Sequence, residues 1–77
     1  MKVNVLFFGM LIEKAGGSTV IVENVQNLSE LKFKLETQYS FLDEMNYLVA
    51  VNQEVVQDNI ELNENDEIAL LPPYAGG

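Results

Sequence analysis

The sequence predicts an α+β fold, a roll built from a mixed sheet of about five strands with one main helix and one short helix. Three stretches carry that expectation. Val3–Phe8 is apolar at nearly every position, the pattern of a strand covered on both faces and therefore central in its sheet. Leu28, Leu31, Leu35 and Tyr39 fall at helical spacing on one stripe, which marks a helix with a single face turned to a core. Ile68–Leu71 is a second continuous apolar run, closed by Pro72-Pro73. Proline cannot donate to a sheet ladder and holds φ fixed, so the strand ends there. The first and last strands are the most apolar and are expected to pair at the sheet centre. If they run parallel, the chain leaves that centre at one end and its last residues project freely.

The remaining elements are read in chain order. Gly9 breaks the first strand, and Met10–Ala15 forms a short helix stopped by Gly16-Gly17. Ser18–Glu23, rich in β-branched residues, makes the second strand. Asn27 with Glu30 three residues on is a helix N-cap signal, and the long helix runs from Leu28 to about Tyr39. Phe33 lies off its stripe, between Lys32 and Lys34. It is expected to pack sideways under the following loop; the other reading is an exposed aromatic contact. Leu48–Val51 is the third strand, Asn52-Gln53 a turn, and Val55-Val56 a short fourth strand. Asp58-Asn59 makes another turn. The polar run Asn63-Glu64-Asn65-Asp66 is read as a solvated turn into the last strand, Glu67–Leu71. It lacks the central glycine and the terminal acid of a calcium loop, and no metal is expected.

Composition removes several function classes. Seventy-seven residues make one small domain. There is no cysteine and no histidine, so disulfides, thiolate metal sites, a cysteine nucleophile and the usual acid–base side chain are all missing. A self-contained enzyme is hard to build from what is left. The net charge is −8, with only Lys2, Lys14, Lys32 and Lys34 positive. Phosphate backbones and anionic membranes are bound through basic residues, so neither nucleic acid nor membrane is an expected partner, and a basic protein surface is. Lys2 and the apolar run after it faintly imitate a signal peptide but lack a cleavage site. The protein is expected to be cytoplasmic.

The working part is then sought at the end of the chain. The domain is assigned to residues 1–71 and an extended tail to residues 72–77. Two prolines favour a stiff, extended exit. From Pro72 to Gly77 the chain reaches about 20 Å at roughly 3.3 Å per residue. Without a Cβ, Gly76 and Gly77 pass through a slot too narrow for other residues. The competing reading is a frayed terminus, since Gly-Gly is a common disordered finish.

Four pieces taken together decide between these. Val5-Leu6-Phe7-Phe8, Ala50-Val51-Asn52-Gln53, Asp66-Glu67-Ile68-Ala69 and Pro72-Pro73 before Gly76-Gly77 stand in an order and spacing that resembles the small subunit of molybdopterin synthase. That family consists of sulfur carriers with a ubiquitin-like β-grasp fold, and the resemblance spans essentially the whole chain. It implies that an adenylating, E1-like partner enzyme uses ATP to activate the carboxylate of Gly77, which then becomes a thiocarboxylate with sulfur from a donor protein. The loaded tail would enter the large synthase subunit and give its sulfur to a pterin precursor, with the catalytic residues on that subunit and no cofactor bound by this chain. By the same resemblance Tyr74 and Ala75 line the path, Gly76 gives clearance and Pro72-Pro73 set the exit. The sheet face opposite the helix would dock the partner through Phe8, Val55 and Leu71, although Phe8 and Leu71 also suit ordinary core packing.

The chain departs from the family in carrying Ile12 where many relatives have an arginine, which puts any salt bridge from the first helix in doubt. Three other readings stay open: a sulfur carrier of thiamine biosynthesis, a protein modifier joined to lysines through Gly77, and an interaction domain whose tail is chemically idle.

Overall fold

The structure, a computed structural model, describes residues 1–73. Strand β1 (Lys2–Phe7) is followed by helix α1 (Met10–Ala15), strand β2 (Thr19–Glu23), helix α2 (Leu28–Gln38), a 3-10 turn over Ser40–Glu44, and strands β3 (Leu48–Val51), β4 (Glu54–Val56) and β5 (Glu67–Leu71). The five strands form one mixed sheet in the order β2-β1-β5-β3-β4. β1 and β5 are the parallel central pair, with Asn4 opposite Glu67 and Phe7 opposite Leu70; β1–β2, β3–β4 and β3–β5 are antiparallel. The two runs that are apolar on both faces are thus the parallel pair at the sheet centre, each with a neighbour on both sides.

α2 covers one face of this sheet. Its stripe Leu28, Leu31 and Leu35 is buried against Val3, Val5, Ile68 and Leu70, the inward residues of the central pair. Burying each such side chain contributes about 1.5–3 kcal/mol. Tyr39 completes the stripe one residue past the helix, where its ring meets Phe7 edge-on at 5.2 Å. The N-terminus is capped as the sequence signals. The Asn27 Oδ1 accepts from the Glu30 N–H at 2.9 Å, and the Glu30 carboxylate accepts in return from the Gln26 N–H at 2.8 Å. The 3-10 turn was not anticipated; it seats Leu42 in the core below the end of α2.

Two expectations are corrected. Phe33 does not pack under the following loop: it is 72% exposed on the outer side of α2. Its neighbour Lys34 points the other way, its ammonium donating to the carbonyls of Glu23 and Asn24 at the end of β2. The run Asn63–Asp66 is not simply a solvated turn either. Asp66 is buried, and its carboxylate accepts from the Asn63 N–H at 2.8 Å and from the Asn52 side-chain amide at 3.0 Å. The Asn52 Oδ1 accepts from the Glu67 N–H at 3.0 Å. Asn52 and Gln53 both hold positive φ, as a two-residue hairpin turn requires. The acidic turn therefore ties the β3–β4 hairpin to the start of β5. Among the described residues no group of acidic side chains is placed to hold a metal ion.

Candidate functional site: the open sheet face and the chain exit

Alternation along the strands sorts the apolar residues. In β1, Val3, Val5 and Phe7 point into the core, so Asn4 and Leu6 lie on the opposite face, and Phe8 continues their side just past the strand. The pairing registers then place Thr19, Leu6, Ala69, Ala50 and Val55 in one row across all five strands of this uncovered face. Leu48 and Leu71, paired with each other, stand in the next row. Val55 is 55% exposed, Phe8 43% and Leu48 39%, while Leu71 is half-buried. These residues form an apolar surface on a small acidic domain, the kind of surface from which protein docking sites are built.

The three residues expected to dock a partner, Phe8, Val55 and Leu71, all lie on this face, and none is part of the helix-covered core. Phe8 and Leu71 border the chain exit, and Val55 sits across the sheet on the edge strand. Leu6, Leu48, Ala50 and Ala69 belong to the same surface and were not singled out from the sequence. Strand alternation from Phe8 and Leu71 would have found Leu6 and Ala69. Leu48 and Ala50 needed the β3–β5 register.

The exit is built by the end of the parallel pair. The Phe8 N–H donates to the Leu70 carbonyl at 3.1 Å, the final rung of the ladder. Beyond it β1 turns aside at Gly9, which holds φ 58° and ψ −136° and starts α1. The Phe8 and Gly9 carbonyls accept from the N–H groups of Leu11 and Ile12, each at 3.1 Å. β5 instead carries straight on into Pro72, which is buried beside Gly9, and into exposed Pro73. The centre of the sheet thus delivers the chain to the surface next to Phe8 and Leu71. Tyr74, Ala75, Gly76 and Gly77 lie outside the described residues.

Surface depressions of about 300 Å³ are lined by Met1, Asn24, Val25, Gln26 and Glu30, and by a second group around Asn52 and Asp66. Neither lining includes Phe8, Leu71 or Pro72. Among the described residues, no helix is long and apolar enough to cross a membrane.

A mixed five-stranded sheet with a parallel central pair, one helix laid across it and the chain emerging from its centre is a ubiquitin-like β-grasp domain. Comparison with known proteins narrows the class. The chain belongs to the ThiS family, whose model matches residues 5–77. It is 33% identical to a molybdopterin synthase sulfur carrier subunit of Mycobacterium tuberculosis, over 100% of this chain and 99% of that one. Among solved structures, a putative molybdopterin converting factor subunit 1 from Pyrococcus furiosus shares the fold with a TM-score of 0.88 at 21% identity, covering 95% of this chain and 98% of that one. A protein–protein complex of subunits 1 and 2 of molybdopterin-converting factor from Helicobacter pylori 26695 contains a chain that matches with a TM-score of 0.78 at 29% identity, each chain covered in full.

Proposed function

We propose that this chain is the sulfur carrier subunit of a molybdopterin synthase. The observation that carries the reading is the end-to-end match to the sulfur carrier subunit of M. tuberculosis. The geometry supports it, because the chain leaves the body beside an open apolar face. A partner can grip that face while taking the end of the chain into its own active site.

In this reading an E1-like enzyme uses ATP to convert the Gly77 carboxylate into an acyl-adenylate. A free carboxylate is a poor acyl donor, whereas AMP is a good leaving group. A sulfur nucleophile from a donor protein displaces AMP and leaves a thiocarboxylate on Gly77. A chain without cysteine suits this chemistry, because its sulfur is loaded rather than its own. The loaded end then reaches the large subunit and transfers sulfur to a pterin precursor, building the dithiolene that holds molybdenum. Two small and two large subunits make up the assembly, and the process takes place in the cytoplasm. The large subunit docks on Phe8, Leu71 and Val55, with Pro72, Pro73, Tyr74, Ala75 and Gly76 forming the path to its active site. The chain binds no cofactor; ATP is bound by the activating enzyme.

The test is the intact mass of the chain after incubation with ATP, the activating enzyme and a sulfur donor. Replacement of one oxygen by sulfur, placed on Gly77 by fragmentation, is the expected result. Gly77→Val should abolish it while leaving thermal stability unchanged. The loaded chain should yield molybdopterin with the large subunit and the pterin precursor. Transfer into a thiazole precursor instead would assign it to thiamine synthesis, and recovery of the chain on lysines of other proteins would make it a modifier. An unchanged mass would leave an interaction domain.

A further inference from the structure

The open face is not apolar throughout. Strand alternation puts Glu67 on it with Ala69 and Leu71, because Ile68 and Leu70 between them are core residues at 0% and 1% exposure. Glu67 is paired with Asn4, and Asn4 with Ile21, which is 59% exposed. These three form the next row after Thr19–Val55, on the side away from the chain exit. Along β5, Glu67 lies about 7 Å from Ala69 and about 13 Å from Leu71 at roughly 3.3 Å per residue. The row beyond holds Lys2 opposite Glu23, a cross-strand pair of opposite charge. The Glu67 row holds no cation. Its backbone is fixed, the N–H donating to the Asn52 Oδ1 and the carbonyl accepting from the Asn52 N–H. Among the described residues, its half-buried carboxylate accepts no hydrogen bond. The surroundings do not neutralise it either. All four lysines lie before residue 35 and nine of the twelve acids after it. Glu64 is held at the same end of the sheet, where its carboxylate accepts from the Lys2 N–H.

A partner that covers Phe8, Leu71, Leu6 and Ala69 meets this row at its border. Ile21 carries exposed apolar area through the row to the edge strand, so a footprint gains by reaching it. A carboxylate covered by an apolar surface, however, loses its hydration with nothing in exchange. We propose that the partner on the open face seats a cationic side chain, of lysine or arginine, against Glu67, with Asn4 beside it. Apolar contact is concentrated near the exit and the charge stands at the opposite end, so this contact fixes which way the partner lies along the strands. The inference rests on the sulfur-carrier reading above and takes the large synthase subunit as that partner.

The test titrates the full chain with the large subunit by calorimetry at about 50 mM and about 500 mM salt. Glu67→Gln keeps the shape of the side chain and removes its charge. It should raise Kd about tenfold or more at low salt, and by less at high salt, where screening has already weakened the wild-type contact. Glu67→Lys should raise Kd further. Asp58→Asn removes an equal charge from the loop beside Ser29 and Lys32 of α2, and should leave Kd within about twofold of wild type. The urea midpoint of Glu67→Gln should match wild type, because the hydrogen bonds of Glu67 run through its backbone. A Glu67→Gln chain that binds as wild type overturns the proposal, and so does an equal loss in Asp58→Asn, which would reduce the effect to net charge. A second measurement needs no variant. The backbone amide signals of Asn4, Ile21 and Glu67 should shift with those of Leu6 and Phe8 as large subunit is added, and unmoved signals would end the footprint above this row and overturn the proposal. Binding that depends on Glu67, in a chain whose Gly77 never receives sulfur, overturns the carrier reading alone. A wild-type chain that does not bind the large subunit overturns both.

Discussion

On its helix-covered side the sheet presents Val3, Val5, Phe7, Ile68 and Leu70, each 3% exposed or less. On its other side it presents Leu6, Leu48, Leu71 and Val55, with Val55 more than half exposed and Phe8 beside them nearly so. The residue types are almost the same, and the two sets are interleaved along the same strands. What separates them is a period of two and one helix. The covered set gains its transfer free energy when the chain folds. The open set gains little then and has that gain still to make when a partner covers it. In the proposed reading, stability and docking fall to opposite faces of one layer, and substitutions can address them separately.

The widest break between the two comes from the covered side. Leu35→Ala should cost about 2–5 kcal/mol in urea unfolding, because it opens a cavity between α2 and the central strands. A loss near zero would mean that α2 is not what closes the core. Asp66→Ala should come next, at about 1–3 kcal/mol, because it leaves the Asn52 amide and the Asn63 N–H without their acceptor. For a domain of this size that lowers the melting temperature by at least 4 °C or so, and an unmoved melt would show that the hairpin does not depend on this tie. On the open side, Phe8→Ser should weaken binding to the large subunit by about tenfold or more in calorimetric titration while changing folding stability by less than about 1 kcal/mol. Unfolding of that variant would move Phe8 into the core and remove the docking face. Smallest is Val55→Thr, expected to keep the urea midpoint within about 0.5 kcal/mol of wild type. A large shift there would show that the open face also supports the fold.

Much of this division was legible in the sequence. Leu28, Leu31 and Leu35 announced the covering helix, Asn27 and Glu30 its start, and the two uninterrupted apolar runs the central pair. The docking candidates Phe8, Val55 and Leu71 were placed on the open face by strand alternation and by the family resemblance together. What escaped depended on contacts between distant parts of the chain. Ser40–Glu44 has no periodicity over its five residues, and only the hollow beneath α2 explains why Leu42 is buried. Asp66 reads as one acid among polar neighbours until the β3–β4 hairpin brings Asn52 to it. Phe33 misled because an aromatic suggests burial, yet the helix turns it outward opposite the stripe. Gly9 looked like a strand breaker, and its contact with Pro72 exists only once β1 and β5 lie side by side.

The parallel pairing of β1 with β5 also constrains when the protein can exist during its synthesis. β1 leaves the ribosome first among the strands and β5 last, and the sheet has no centre until they meet. Closing that long loop comes before the contacts that repay it, so folding waits on the latest-made strand. A nascent chain halted short of residue 71 lacks part of β5, and with it part of the open apolar face. If the open face docks a partner as proposed, that partner would meet a complete face only on chains whose synthesis has run through β5.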